Sequence, residues 1–295
     1  MANAHNCFFT TALKSHYVEV MGSSMHYFDE GEGDPIVFLH GIPSSSYSWR
    51  NIIPKLTSLG RCIAPDLIGF GNSDKPDIDY MIHDHIDYIN GFIEALGLRN
   101  ITFVLHAWGS LIGFNYAAHH PNNVKALIFF ESHIRPVENR DMLSLPVQEV
   151  VGLLQTQSGR ESLLNTDYYL NNIFLGGILK DMAKEDITAY QAPIATPASR
   201  RPILQYLDEL PKGDSAGHAQ EIISHYAKRL SQSGIPKLML YGVPGFITTI
   251  DTVAWAKSHL PNLTLVDIGD ALHYPQETNP ELLVAEILKW FKEAL

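Results

Sequence analysis

The stretch ITFVLHAWGS, residues 101–110, decides the fold of this chain. Its first half is apolar and β-branched and predicts a buried strand, and the apolar residues 111–118 after it predict a helix. A strand, a sharp turn and a helix in this order expose the residue at the turn above the edge of a sheet, where a nucleophile can be placed. Ala107 occupies this position. A methyl group cannot attack a substrate, so the chain is expected to lack a nucleophile there.

Strands and helices alternate along most of the chain. Besides residues 101–105, we predict strands at 17–21, 25–29, 36–39, 61–65, 124–130, 237–241 and 263–268. We predict helices at 46–59, 84–96, 252–260 and 281–291. Because strands that alternate with helices pair in parallel through helical crossovers, this order predicts an α/β fold. Its sheet is expected to be mostly parallel and eight-stranded, with helices on both faces.

The alternation stops between about residues 134 and 233. This region is helix-like, contains six scattered prolines and shows no convincing series of strands. We therefore predict a core domain formed by residues 1–133 and 234–295. Residues 134–233 are predicted to be a helical cap, inserted in the core over the C-terminal ends of the strands.

Composition and charge limit the partners and cofactors that we expect for this chain. The formal net charge is −11, from 21 basic and 32 acidic residues, which disfavours nucleic acid and anionic membranes. The chain has two cysteines, Cys7 and Cys62, in no metal-ligand or redox spacing. No apolar run approaches the ~18 residues of a membrane span. We predict a cytoplasmic protein, a monomer or homodimer, without a metal or an organic cofactor.

Six segments of the chain resemble haloalkane dehalogenases, over about residues 17–290. They are HGIPSSSYSWR (40–50), DLIGFGNSDKP (66–76), LHAWGS (105–110), ESHIRP (131–136), GVPG (242–245) and IGDALHYPQE (268–277). The resemblance is to the branch that takes its catalytic acid from the strand after the nucleophile turn, and coelenterazine-oxidising luciferases share this scaffold. It implies an α/β-hydrolase fold and hydrolytic cleavage of a carbon–halogen bond through an alkyl-enzyme ester.

The resemblance also implies roles for individual residues. His273 matches the base that activates water, and Glu131 matches the acid that orients the imidazole of this base. Asp251 is a weaker candidate for the acid. Trp108 matches a halide-binding indole, and its backbone N–H and that of Ile42 are expected to form an oxyanion hole.

Two departures from the family pattern concern chemistry. Ala107 stands where the family has its nucleophilic Asp, and Ile42 stands where the family usually has a halide-binding Asn. The first departure fits a deliberate removal of the nucleophile, which leaves a ligand unreacted. The two together fit a natural drift away from halide chemistry.

Three hypotheses on function follow. The leading one is a haloalkane-dehalogenase-like hydrolase whose nucleophile is replaced, so that it binds a small apolar, halogenated substrate and a halide ion without normal turnover. The second is a non-covalent enzyme based on His273 and Glu131: an isomerase, a cyclase, an epoxide or lactone hydrolase, or a cofactor-free oxygenase. Cap tyrosines that could polarise an epoxide oxygen are Tyr168, Tyr169, Tyr190 and Tyr206. The third is a catalytically dead binder of a small ligand.

Overall fold

The computed structural model describes residues 12–213 and 217–295. Cys7 lies outside the described residues, and Cys62 is buried. Eight strands form one sheet: β1 Ser15–Val20, β2 Ser23–Glu30, β3 Pro35–Leu39, β4 Arg61–Pro65, β5 Ile101–Ala107, β6 Val124–Ser132, β7 Lys237–Tyr241 and β8 Leu263–Asp267. The predicted α/β class and the eight strands are confirmed.

The strand order across the sheet is β1-β2-β4-β3-β5-β6-β7-β8. β2 pairs antiparallel with β1 and with β4, whereas all later neighbours pair in parallel. The sheet is therefore mostly parallel, as predicted. Parallel pairing brings the C-terminal ends of β3, β5, β6 and β7 to one edge, and the loops that leave these ends carry the candidate site.

Eleven α-helices accompany the sheet in the described residues: α1 Ile53–Leu56, α2 Ile82–Ala95, α3 Trp108–His119, α4 Leu145–Leu154, α5 Gln157–Asn165, α6 Lys184–Gln191, α7 Arg201–Glu209, α8 His218–Leu230, α9 Ile250–His259, α10 Pro275–Thr278 and α11 Pro280–Ala294. A single helix over 46–59 is wrong. A 3₁₀ turn at Ser46–Trp49 and the short α1 replace it, and Pro54 lies at the start of α1, where a proline is tolerated.

The core consists of two apolar layers, one on each face of the sheet. Successive residues of β3 point to opposite faces, so Val37 joins the layer with α2 and α3, and Phe38 joins the layer with α1 and α11. Both residues are completely buried. Burial on both faces explains why the central strands are continuous apolar runs rather than alternating ones.

The chain between β6 and β7 forms helices α4 to α8, together with a π-helical turn at Tyr169–Phe174, and its described residues contain no strand. Within it, α8 packs along α3 of the core. The division into a core and a cap at residues 134–233 stays our proposal.

Candidate active site

The turn between β5 and α3 has the strained backbone of a nucleophile turn. Ala107 has φ +46° and ψ −119°, a left-handed conformation that costs a non-glycine residue about 1–3 kcal/mol. Gly41 and Gly109 make room for the turn. A Cβ on Gly41 would lie 2.6 Å from the Ala107 Cβ, and one on Gly109 would lie 2.4 Å from the Leu39 carbonyl oxygen. The chain keeps this strained geometry although the side chain at the turn, that of Ala107, is only a methyl group.

Glu131 near the end of β6 and His273 in the loop before α10 form a buried pair. The Nδ1 atom of His273 lies 2.9 Å from Oε2 of Glu131, and the two side chains are 7% and 5% exposed. Glu131 has φ +44°, so its backbone is strained as well. The structure thus brings together the two residues that the sequence predicted as base and acid. Asp251 lies in the first turn of α9 and is exposed.

The loop after β7 holds the Glu131 carboxylate. The backbone N–H groups of Phe246 and Ile247 donate to Oε2 over 3.0 and 2.6 Å, and that of Thr248 donates to Oε1 over 3.2 Å. Gly245 lets the loop come this close, because a Cβ there would lie 2.5 Å from Oε1. This loop lacks a carboxylate of its own, and it supplies donors to the carboxylate of β6 instead.

The surroundings of the pair determine the protonation states of the His273 imidazole and the Glu131 carboxyl group. Burial lowers the pKa of His273 to about 3, so its ring is neutral at neutral pH. Burial also raises the pKa of Glu131, and its three backbone donors oppose that rise. With the imidazole proton on Nδ1, all four groups around the carboxyl are donors, an arrangement that favours the ionised form. His273 Nε2 then keeps a lone pair, as a general base requires.

Backbone contacts fix His273 in place. Its N–H donates to the carbonyl oxygen of Gly177 over 3.0 Å, and its own carbonyl oxygen accepts from Nε2 of His106, 2.8 Å away. His106 precedes Ala107 on β5 and is completely buried. His273 is therefore tied both to β5, next to Ala107, and to the segment between β6 and β7.

The residues around Ala107 are buried. Trp108 is 0% and Ile42 is 1% exposed. The indole Nε1 of Trp108 has no hydrogen-bond partner among the described residues. Two tyrosines from the segment between β6 and β7 reach this point. Tyr206 packs edge-on against Trp108 at a ring distance of 4.8 Å, and the Tyr169 hydroxyl lies 3.5 Å from the carbonyl oxygen of Ile42.

A cavity of about 50 Å³ lies next to these groups. Its wall includes His273, Tyr169 and Tyr206, and does not include Ala107, Trp108 or Ile42. The wall contains polar and apolar side chains. The polar ones include Ser132, His133, Arg135 and Thr252, and the apolar ones include Met142, Val147, Val150, Ile173, Leu207 and Leu210.

Two other tyrosines that the sequence singled out lie elsewhere. Tyr190 donates to Oε1 of Glu277 and lies outside the cavity wall, and Tyr168 is only half-buried. His133, to which the sequence analysis assigned no role, is 7% exposed and forms part of the cavity wall. Its place two residues after Glu131, just past the end of β6, was the signal that could have identified it.

Comparisons with known proteins agree with this geometry. A family model described as alpha/beta hydrolase fold matches residues 34–280. A haloalkane dehalogenase of Mesorhizobium japonicum is 35% identical over 97% of this chain and 93% of its own length. One of Agrobacterium fabrum is 35% identical over 96% and 93%. The crystal structure of the haloalkane dehalogenase DatA from Agrobacterium tumefaciens C58 superimposes with a TM-score of 0.90 at 35% identity, covering 98% of this chain and 99% of DatA.

Proposed function

Because the chain belongs to the haloalkane dehalogenase family of the α/β-hydrolase fold, we propose that it is a hydrolase of this type in which the covalent step is disabled at Ala107. The observation that carries this proposal is the strained turn at Ala107 beside the intact His273–Glu131 pair. A strained backbone persists where the surrounding structure enforces it, and such strain clusters at active sites. The proposed ligand is a small apolar, halogenated molecule.

The proposed reaction has two halves, and this chain retains the groups for the second. In the first half, a carboxylate at position 107 attacks an sp³ carbon, an ester bond forms, the carbon–halogen bond breaks and halide leaves. In the second half, His273 Nε2 takes a proton from water, and the resulting hydroxide cleaves the ester to an alcohol. Without a carboxylate at Ala107 the first half cannot occur.

The Ala107→Asp variant tests this assignment by trapping the intermediate. Ala107→Asp combined with His273→Phe should react once with 1,2-dibromoethane and then stop, because the ester forms and no base remains to hydrolyse it. Intact-mass spectrometry should show one bromoethyl adduct per chain, on the peptide that contains residue 107. The unmodified chain and the His273→Phe single variant should stay unlabelled. A doubly substituted, folded chain without adduct would contradict the proposal.

A second candidate function is favoured by Tyr169 and Tyr206, which line the cavity together with His273. Two tyrosines in the same cavity wall as a base suit direct hydration of an epoxide. His273 removes a proton from water, the water oxygen bonds to a ring carbon, and a tyrosine protonates the ring oxygen as its C–O bond breaks. Here the unmodified chain should convert styrene oxide to the diol, with oxygen from solvent H₂¹⁸O in the first turnover. Loss of this activity in Tyr206→Phe and in His273→Ala would support hydration, and an inactive unmodified chain would exclude it.

A further inference from the structure

A serine, a histidine and an aspartate are joined side chain to side chain at the β1 edge of the sheet, away from Ala107. Ser15 begins β1, His26 lies on β2, and Asp66 directly follows β4. Oγ of Ser15 lies 3.0 Å from Nε2 of His26, and Nδ1 of His26 lies 2.8 Å from Oδ2 of Asp66. A hydroxyl within about 2.6–3.2 Å of a base that a third group orients is the geometry of an activated nucleophile, on whichever fold it occurs.

The pairing of β1 with β2 fixes the histidine next to the serine. Ser15 lies opposite Phe28 and Tyr17 lies opposite His26, so Ser15 and His26 are diagonal neighbours on the same face of the sheet. The His26 ring packs edge-on against Tyr17 and Phe28, at ring distances of 5.2 and 5.1 Å. These two aromatic side chains hold the orientation of the imidazole while its Nε2 reaches the hydroxyl.

Asp66 is held as an ionised carboxylate. The backbone N–H of Ser46 donates to its Oδ1 over 2.7 Å, and that of Asn72 donates to its Oδ2 over 2.8 Å. Its own N–H donates to the carbonyl oxygen of His26 over 2.8 Å. Burial raises the pKa of Asp66, but the adjacent His26, then His40 and the Asn72 N–H, outweigh burial and lower it to about 2. The carboxylate therefore carries its charge at neutral pH, as the group that orients a base must.

The direction of the hydrogen bonds suits transfer of the serine proton. With the imidazole proton on Nδ1, facing the carboxylate of Asp66, Nε2 of His26 has a lone pair that accepts from the Ser15 hydroxyl. His273 and Glu131 have the same contact between Nδ1 and a carboxylate, at 2.9 Å. In that pair no hydroxyl or carboxylate stands at Ala107, whereas Ser15 supplies a hydroxyl here.

We propose that Ser15, His26 and Asp66 form a second nucleophilic site, at which Ser15 takes an acyl group from an activated carboxylic ester. Oγ of Ser15 bonds to the carbonyl carbon as its proton passes to Nε2 of His26. The bond to the leaving oxygen then breaks, and His26 returns the proton to the leaving group. Ser15 is exposed on the edge strand, so an ester reaches it from solvent. The site does not depend on the proposed function, because β2, β4 and β3 separate β1 from β5.

Acetylation by 4-nitrophenyl acetate tests the activation of the hydroxyl. The unmodified chain is treated at neutral pH and quenched with acid, and the modified residues are located and quantified by tandem mass spectrometry of peptides. Ser224, exposed on α8, is the internal reference. We expect Ser15 to be acetylated at least about 100-fold faster than Ser224, because a positioned base assists it. Lys14→Arg removes the adjacent amine, which competes for the reagent and accepts an acetyl group from Ser15.

Substitution of the base decides whether His26 causes the reactivity. His26→Gln keeps a donor toward Asp66 but has no base, and it should lower the rate at Ser15 by about 100-fold or more while the rate at Ser224 stays unchanged. His16→Gln is the matched control, since it removes an exposed imidazole from the same strand, and it should react like the unmodified chain. Circular dichroism verifies the fold of both variants.

Ser15→Cys gives a test that leaves the buried His26 in place. Its thiol should react with iodoacetamide at about pH 6 at least about tenfold faster than that of Ser224→Cys, since the imidazole of His26 stabilises the thiolate. Cys7 and Cys62 are common to both variants and are followed on their own peptides. If His26→Gln does not fold, this comparison decides.

Three results would each overturn the inference. The first is acetylation of Ser15 no faster than that of Ser224. The second is a folded His26→Gln variant in which Ser15 reacts as fast as in the unmodified chain, because the hydroxyl would then need no base. The third is an equal alkylation rate of the thiols in Ser15→Cys and Ser224→Cys. In each case the contacts among the three side chains only join β1, β2 and the chain after β4.

Discussion

The Nδ1 atom of His273 lies 2.9 Å from Oε2 of Glu131, although the two residues are 142 positions apart in the chain. Three backbone N–H groups from the loop after β7 hold the carboxylate in this position. The pair is complete and buried beside a turn that lacks a nucleophile. Under the proposed function, this pair is the part of the site that activates water, and Ala107 replaces the group that begins the reaction.

Loss of the carboxylate should slow ester hydrolysis in a chain that can form the ester. In the Ala107→Asp background, Glu131→Gln should give a burst of about one equivalent of halide. The steady rate that follows should be at least about 100-fold lower than that of Ala107→Asp alone, because the imidazole loses its anionic partner. Stopped-flow detection of halide measures both phases. Asp251→Asn is the matched control, since Asp251 is exposed on α9, and its rate should match the background. An equal loss in both variants would contradict the assignment of Glu131.

Relief of the strained turn should stabilise the protein. Ala107→Gly removes the cost of the left-handed backbone in the folded state, and it adds conformational entropy to the unfolded chain. The first free energy is the larger, so we expect a gain of about 1 kcal/mol in the free energy of unfolding. Ala118→Gly, within α3, should instead lose about 1 kcal/mol. Urea denaturation of both variants checks the signs. A loss at position 107 equal to that at 118 would show that the turn stores no strain.

Removing one partner of a buried ion pair should cost far more stability than removing one partner of an exposed pair. Arg50 donates two hydrogen bonds to Glu277, over 2.6 and 3.0 Å, and Tyr190 donates to the same carboxylate. Glu277→Ala leaves the guanidinium with the partly exposed Asp186 as its ionic partner, 3.0 Å away, and removes the acceptor of the Tyr190 hydroxyl, so it should cost about 3 kcal/mol. The exposed pair of Lys55 and Glu281 is the control, and Glu281→Ala should cost at most about 1 kcal/mol. Denaturant titration would contradict this account if the two losses were equal.

Buried neutral histidines should make the fold sensitive to acid. Burial lowers the pKa of His85 to about 3, from 6.5, and burial likewise lowers those of His106, His133 and His273. The unfolded chain binds a proton at these positions below about pH 6.5, so their stabilising contribution is full above that pH and is lost as the pH falls. His85→Phe should reduce the stability lost between pH 7 and pH 5 by about 1–2 kcal/mol. His259→Phe is the exposed control, and equal pH slopes in the two variants would refute the prediction.

The sequence predicted the parts of the molecule that depend on local pattern. Alternating residues predicted the first two strands, and apolar runs predicted the others. The residues around Ala107 predicted the turn, because strand, turn and helix follow one another directly in the chain. The single helix over 46–59 was wrong, because Pro54 favours a helix start and the backbone breaks before it. The pairing of His273 with Glu131 was inferred from family resemblance. The distance between the two side chains could be obtained only from the three-dimensional structure.

Contacts between distant segments could not be read from the sequence. The place of His133 in the cavity wall depends on Tyr226 of α8, 93 positions away, which holds its carbonyl oxygen. The link from Arg50 to Glu277 spans 227 positions. Which of the cap tyrosines reach the cavity depends on how the helices between β6 and β7 pack. Residue type and spacing carry no information on any of these distances.

The most direct measurement compares bromide release from 1,2-dibromoethane by the unmodified chain and by its Ala107→Asp variant. The account predicts multiple-turnover release by the variant alone, since its carboxylate completes a site that already contains His273 and Glu131. The contradicting result is a folded Ala107→Asp variant that binds the substrate and releases no bromide, or an unmodified chain that releases it at the same rate.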